Sequence, residues 1–302
     1  MERSGNSQGP VESTSDAAIG LPEAGVELDD LGVLRIRGPD AERFLQGQLS
    51  NDVTRLAGEG AILAGFHNPQ GRTIALLRLV QTREHDILAL LPRELARSVA
   101  QRLNRFILRA KVQIAEESAA WRVRGLAGAQ PPDGLTFKLP GEPERWISVA
   151  PASAAPLPAS AARNAWRLLD IALGQPQVYA QTSELFVAQM LNLDLLDAIS
   201  FSKGCYTGQE VIARAHYRGR VKRRMQRWRS IGSAVLAPGD SAQLADGRAL
   251  RIVDAAQRAD GRCEFLAVAP LAGGAEEEPA ASADKVVLEA DQLPLPYELL
   301  SA

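Results

Sequence analysis

One short run concentrates the residues capable of chemistry: Lys203-Gly204-Cys205-Tyr206-Thr207-Gly208-Gln209-Glu210, which holds one of the chain's two cysteines. Thr207 and Glu210 have the Thr-x-x-Glu spacing of a helix capping box, and Val211, Ile212 and Ala215 follow at helical spacing. The run therefore predicts a helix that begins just after Cys205. The thiol would then lie near the positive end of the helix dipole and beside Lys203, both of which favour thiolate over thiol. Gly204 and Gly208 would let a ligand or another backbone approach closely. This combination favours a functional thiol over a buried, inert cysteine in a tight loop. A thiolate there is competent to act as a nucleophile or to meet a redox or sulfur species.

The elements that must position this run fall into an α+β pattern. Residues 26–116 predict short strands at 32–37, 61–66, 73–81, 86–91 and 111–116, with helices at 40–51 and 93–108. Leu95, Val99, Leu103, Phe106 and Ile107 share one helical face, and Val33, Ile36 and Ile87 sit in β-like runs. Helices packed on an antiparallel sheet follow from that order. A second region, 117–218, contains a Pro/Ala/Ser-rich loop at 150–160. It also predicts a helix at 161–173, stopped by Gly174 and Pro176. The third region, 219–302, alternates Gly/Asp turns with short apolar strands and reads as a small β-barrel with a mobile insert at 272–284. Residues 1–25 read as a flexible tail.

Composition narrows the function. The chain has 302 residues, enough for two or three domains. It lacks an apolar run long enough to suggest a membrane span, and its first residues lack the apolar core of a signal peptide. A soluble cytoplasmic protein is expected. Two cysteines (Cys205, Cys263) and three scattered histidines (His67, His85, His216) make neither a disulfide framework nor a metal site. The formal net charge of −2 argues against coating nucleic acid by bulk charge.

The run Ile199–Glu210, continued by Ala213-Arg214 and Tyr217-Arg218-Gly219, resembles the signature of the YgfZ family of folate-binding proteins. These are related to the glycine-cleavage T-protein, an aminomethyltransferase. Gly38-Pro39-Asp40-Ala41, Phe44-Leu45-Gln46-Gly47-Gln48 and Ser50-Asn51-Asp52-Val53 are similar to the family's N-terminal segment. Gln189 with Asn192-Leu193, and Leu295-Pro296-Tyr297, resemble later family segments, so the likeness spans roughly residues 26–300. The resemblance implies a T-protein-like multidomain ring: two α+β sandwich regions, a C-terminal β-barrel, and tetrahydrofolate or a one-carbon-substituted folate in a central hole. It implies a role in maintaining iron–sulfur enzymes as clients and, through them, in tRNA modification, with no established turnover. Trp166 occupies the place of a family tryptophan implicated in folate binding, whereas Leu31 stands where the family has a second one.

Four amide side chains, Gln189, Asn192, Gln46 and Asn51, are candidates for the edge of a pterin or its tail, because each offers donors and acceptors. Arg214 and Lys203 are candidates for the tail carboxylates. Cys205, Lys203 and Gln209 rank first. Between Val211 and Gly239 there is no Asp or Glu, but there are many basic residues, Arg214 to Arg229 among them, with Tyr217 and Trp228 interspersed. This stretch is either an RNA-contacting surface or a helix end followed by a barrel strand with one solvated face. The basic residues of 93–111 add a second positive surface. The alternative function is aminomethyltransferase-like one-carbon transfer with tetrahydrofolate. Against it, no Asp or Glu occurs between Gly60 and Arg83, where that chemistry needs a carboxylate.

Overall fold

The computed structural model describes residues 20–22, 25–128, 134–155, 157, 161–219, 221–271 and 286–299. The insert expected at 272–284, most of the N-terminal tail and part of the 150–160 loop lie outside them.

Apolar runs with β-branched residues form the first sheet. Its strands are β2 (Leu31–Arg37), β3 (Ala61–His67), β4 (Thr73–Arg83), β5 (Asp86–Pro92) and β6 (Gln113–Glu116), after a two-residue β1 (Val26–Glu27). The order β3-β4-β5-β2-β6 is antiparallel throughout. Every residue of β5 is buried, as in a central strand covered on both faces. Helix α1 (Ala41–Gln46) and the single turn α2 (Leu56–Glu59) precede β3. Helix α3 (Arg93–Asn104) buries Leu95, Ala96, Val99, Ala100 and Leu103, the face that the 3–4 spacing predicts.

Two helices are shorter than the sequence suggests. The helix expected over 40–51 ends at Gln46. Leu49 instead bridges Phe66, and the Ser50 N–H donates to the Gly65 carbonyl. The helix expected to reach 108 ends at Asn104, where the N–H groups of Arg105, Phe106 and Ile107 close tighter three-residue turns.

The second sheet has the order β1-β7-β9-β8, with β7 (Trp121–Ala127), β8 (Leu135–Leu139) and β9 (Arg145–Pro151). Val26 and Glu27 pair with Gly125 and Arg124, so the chain starts in this sheet before entering the first. Helix α4 (Ala161–Ala172) then stops at Gly174, which has a positive φ of 61°, ahead of Pro176.

After helix α5 (Gln209–Tyr217) come β10 (Arg223–Ser233), β11 (Ser241–Leu244), β12 (Ala249–Gln257), β13 (Arg262–Pro270), β14 (Val286–Leu288) and β15 (Ala290–Leu293). Their order is β14-β11-β12-β13-β10-β15. The two edge strands are consecutive in the chain, with Glu289 alone between them, so one segment runs along both edges and nearly closes the sheet into a barrel. Trp228, Ile252, Cys263 and Phe265 fill its core. Burial pushes the Cys263 thiol up to about 11, which marks it as structural.

Candidate functional site

Two cavities of about 430 and 410 Å³ open between the three parts of the chain and share Arg78 and Gln175 in their walls. The first is walled by Ile62 and Leu63 of β3, Phe137 of β8, Leu173, Leu195 and Leu196, and by Tyr297. The second brings together Leu31 at the start of β2, Trp166, Arg167 and Asp170 of α4, Tyr179, and Asp254 of the barrel strand β12. Leu31 and Trp166, 135 positions apart by their numbers, thus face one cavity.

Trp166 is also a core residue, only 5% exposed. The Arg145 guanidinium lies over its ring at 4.8 Å, and Gly125 packs so closely that a β-carbon there would fall 2.5 Å from the six-membered part. The ring therefore offers the cavity only a small part of its surface. Below it, Asp254 accepts from Arg167 Nε at 2.5 Å and from the Tyr179 hydroxyl at 3.0 Å. Burial raises the Asp254 carboxyl to about 6 despite Arg167, and burial likewise raises Asp30. Carboxylates thus reach this cavity from β2's flank, α4 and β12, although β4 supplies none.

The Cys205 loop is held from a distance. Lys203 Nζ donates to the carbonyls of Leu49 (2.8 Å) and Asn51 (2.7 Å) and lies 5.3 Å from the centre of the Tyr206 ring. Burial lowers its pKa to about 8, with Asp52 pulling the other way. Ser50 Oγ donates to the Ala198 carbonyl, and Asn51 Nδ2 donates to those of Leu63 and Asp197. The Cys205 thiol is exposed and makes no hydrogen bond among the described residues.

The capping box expected at Thr207 does not form. Gly208 takes the N-cap place at φ 83°, and no side chain caps the helix. The reason is space: a β-carbon on Gly208 would fall 2.5 Å from the Asn68 carbonyl oxygen, so α5 begins where its backbone meets the β3–β4 turn.

The remaining candidates lie elsewhere. Gln189 and Asn192 are buried, and neither lines either of these two cavities. Gln189 Nε2 donates to the Ile212 carbonyl of α5, and Asn192 Nδ2 donates to the Met225 carbonyl of β10. Gln46 accepts from the Val53 N–H and donates to Asp52. Gln209 opens α5 and Arg214 is exposed on it, both away from the cavities.

The basic stretch is largely a barrel strand. Arg224 pairs with Asp194 inside the protein, Arg227 and Arg229 pair with the buried Glu264, and Trp228 is in the barrel core. Arg214, Tyr217, Arg218 and Lys222 are exposed. Phe201 stacks on His216 at 3.8 Å, with Tyr217 edge-on.

Arg78 was not among the residues that the sequence pointed to. Its signal was a lone cation inside the apolar run Thr73-Ile74-Ala75-Leu76-Leu77-Arg78-Leu79-Val80. Among the described residues no His, Cys, Asp and Glu side chains gather as a metal site, and no helix is long and apolar enough to cross a membrane.

No family model matches the chain. Curated relatives do. It is 33% identical over 282 residues to the tRNA-modifying protein YgfZ of Cronobacter sakazakii, covering 82% of this chain and 84% of that protein. It is 34% identical over 260 residues to the YgfZ of Edwardsiella ictaluri, with 76% and 77% covered. An uncharacterized protein of Haemophilus influenzae is 33% identical over 205 residues, with 66% and 71% covered. Among solved structures, the glycine cleavage system aminomethyltransferase T of Bartonella henselae superposes with a TM-score of 0.63. It covers 81% of this chain and 77% of that one at 12% identity. The α+β architecture with its terminal barrel is therefore the T-protein fold, and the relatives place the sequence within it: the chain belongs to the YgfZ family.

Proposed function

We propose that the protein is a folate-binding accessory factor in the cytoplasm that supports iron–sulfur cluster assembly or repair and, through it, tRNA modification. The observation that carries this reading is the second cavity, where Leu31 and Trp166 meet. Its apolar walls (Leu28, Leu31, Leu139, Ile147, Trp166) suit the faces of a pterin. Asp30, Gln175 and Gln177 supply donors and acceptors for its polar edge. The residues present thus fit a tetrahydrofolate, which would accept a one-carbon unit, or supply one where it is bound in one-carbon-substituted form. Leu31 offers an aliphatic surface where the family has tryptophan, and Trp166 is partly covered, so contact relies on shape more than on stacking. Cys205, exposed on its loop, is the thiol that would act, and the tRNA named for the relatives has Arg214, Tyr217, Arg218 and Lys222 as accessible contacts.

A one-carbon transferase is the second reading, favoured by the T-protein fold and by the carboxylates Asp30, Asp170 and Asp254 at the cavity. Against it, the first half of β4 carries Ala75, Leu76 and Leu77 and no carboxylate. Calorimetric titration with tetrahydrofolate separates the outcomes. Saturable binding weakened in Trp166→Ala but intact in Cys205→Ala is expected, with Cys205→Ala folded yet unable to complement in cells. Absence of binding at millimolar folate would refute the folate role, and full complementation by Cys205→Ala would remove the thiol.

A further inference from the structure

The cations around the two cavities are nearly all taken. Arg167 is held by Asp254, Arg163 by Asp29, and Lys138 by Glu144. Of the cavity carboxylates, Asp170 is engaged with Arg145 and Glu59 and Asp197 with Arg55, while Asp30 acts at longer range on Arg163 and Arg167 rather than on Arg78. Arg78 differs. It lies in the middle of β4, in the wall common to both cavities, and makes no hydrogen bond or ion pair with any described residue. Asp170 acts on it only at longer range, while Arg145 repels it, and burial pulls its pKa down to about 10. It stays charged at neutral pH. Arg78 is partly buried, between the fully buried Leu77 and Leu79, and a cation withdrawn from water without a partner carries a desolvation cost that an anionic ligand would offset. Gln175 stands beside it in the shared wall, and its side-chain amide also lacks a partner among the described residues.

We propose that Arg78, assisted by Gln175, is the residue that binds a carboxylate of the cavity ligand. A guanidinium makes two parallel hydrogen bonds to a carboxylate, and an amide N–H adds a third. In the folate reading, on which this rests, the pterin occupies the Leu31–Trp166 cavity and the glutamate tail runs past the shared wall. Arg78 then selects tailed folates over pterins that lack a carboxylate. Lys203 and Arg214 line neither cavity and are not positioned to share that task.

The test is a calorimetric comparison of tetrahydrofolate with the primary amide of tetrahydropteroic acid, which keeps the pterin and benzoyl groups but carries no carboxylate. Wild type and Arg78→Gln are titrated with each, and thermal melts are run without ligand. Wild type is expected to prefer tetrahydrofolate by about ten- to hundredfold. Arg78→Gln should bind both ligands alike, and Arg78→Lys should recover part of the preference. The ligand-free Arg78→Gln protein should melt no lower than wild type, because no native partner is lost. Equal affinity of wild type for the two ligands would overturn the assignment while leaving folate binding intact. So would an equal loss for both ligands in Arg78→Gln. Binding of neither by wild type would sink the folate reading and this inference together.

Discussion

Replacing Lys203 by methionine should change how stability depends on pH. The ammonium is partly buried against the Leu49 and Asn51 carbonyls, and its pKa falls from 10.5 to about 8. The group is cationic and its folded pKa is the lower one. Between about pH 8 and 10.5 the unfolded chain therefore holds more protons, and stability rises with pH across that window. Below pH 8 both states are protonated and the desolvation cost is fully present. At about 1.4 kcal/mol per pKa unit, wild type should gain roughly 2.5 kcal/mol from this group between pH 7 and 10, less to the extent that solvent reaches it. Deprotonation keeps two N–H groups for the two carbonyls, so the hydrogen bonds persist. The methionine variant has no such titration, and Cys263, which titrates in both proteins, cancels in the difference. Urea unfolding of the pair, followed by circular dichroism at pH 7, 8, 9 and 10, measures it. A stability difference that stays flat within about 0.5 kcal/mol would refute the reasoning.

Two further substitutions probe the frame around the loop. Gly208→Ala places a β-carbon 2.5 Å from the Asn68 carbonyl at a positive φ, so it should destabilise by about 1–3 kcal/mol or more and loosen α5, read by amide exchange of residues 209–217. Asp194→Asn leaves Arg224 inside the protein without its charge partner, and a loss of about 3–5 kcal/mol is expected in denaturant titration. A loss below 1 kcal/mol would mean that the pair is better hydrated than its burial implies.

Local patterns were readable wherever they were also decisive. The strands β2 to β5 and the helix α4 follow the alternation and stop signals of their own residues. The capping box failed because the helix start is set by a neighbour, the β3–β4 turn, which no spacing within 203–210 reveals. The run of arginines after 214 could be read as an RNA-contacting surface or as a barrel strand with one solvated face, because Asp194 and Glu264, which neutralise much of it, lie 30 to 37 residues away on either side. Arg78 escaped notice for the opposite reason: a single cation among leucines carries no periodicity, and its solitude is visible only once the surrounding carboxylates are seen not to pair with it. Leu31 and Trp166 meeting at one cavity could be anticipated only through the family likeness.

The loop that presents Cys205 has little shape of its own making. Its anchors at Leu49 and Asn51 come 152 to 154 residues earlier in the chain, and those at Ser50 and Asn51 are tied to Ala198 and Asp197 across similar separations. Contacts of such high order form late, after the loop-closure entropy of half the chain has been overcome. The thiol is therefore displayed only by a molecule in which the segment around 197–203 has already docked against the first sheet, which makes the loop a checkpoint on assembly. A partner that recognises it reads, in the same event, that Leu195, Leu196 and Asp197 have met β3 in the wall of the first cavity.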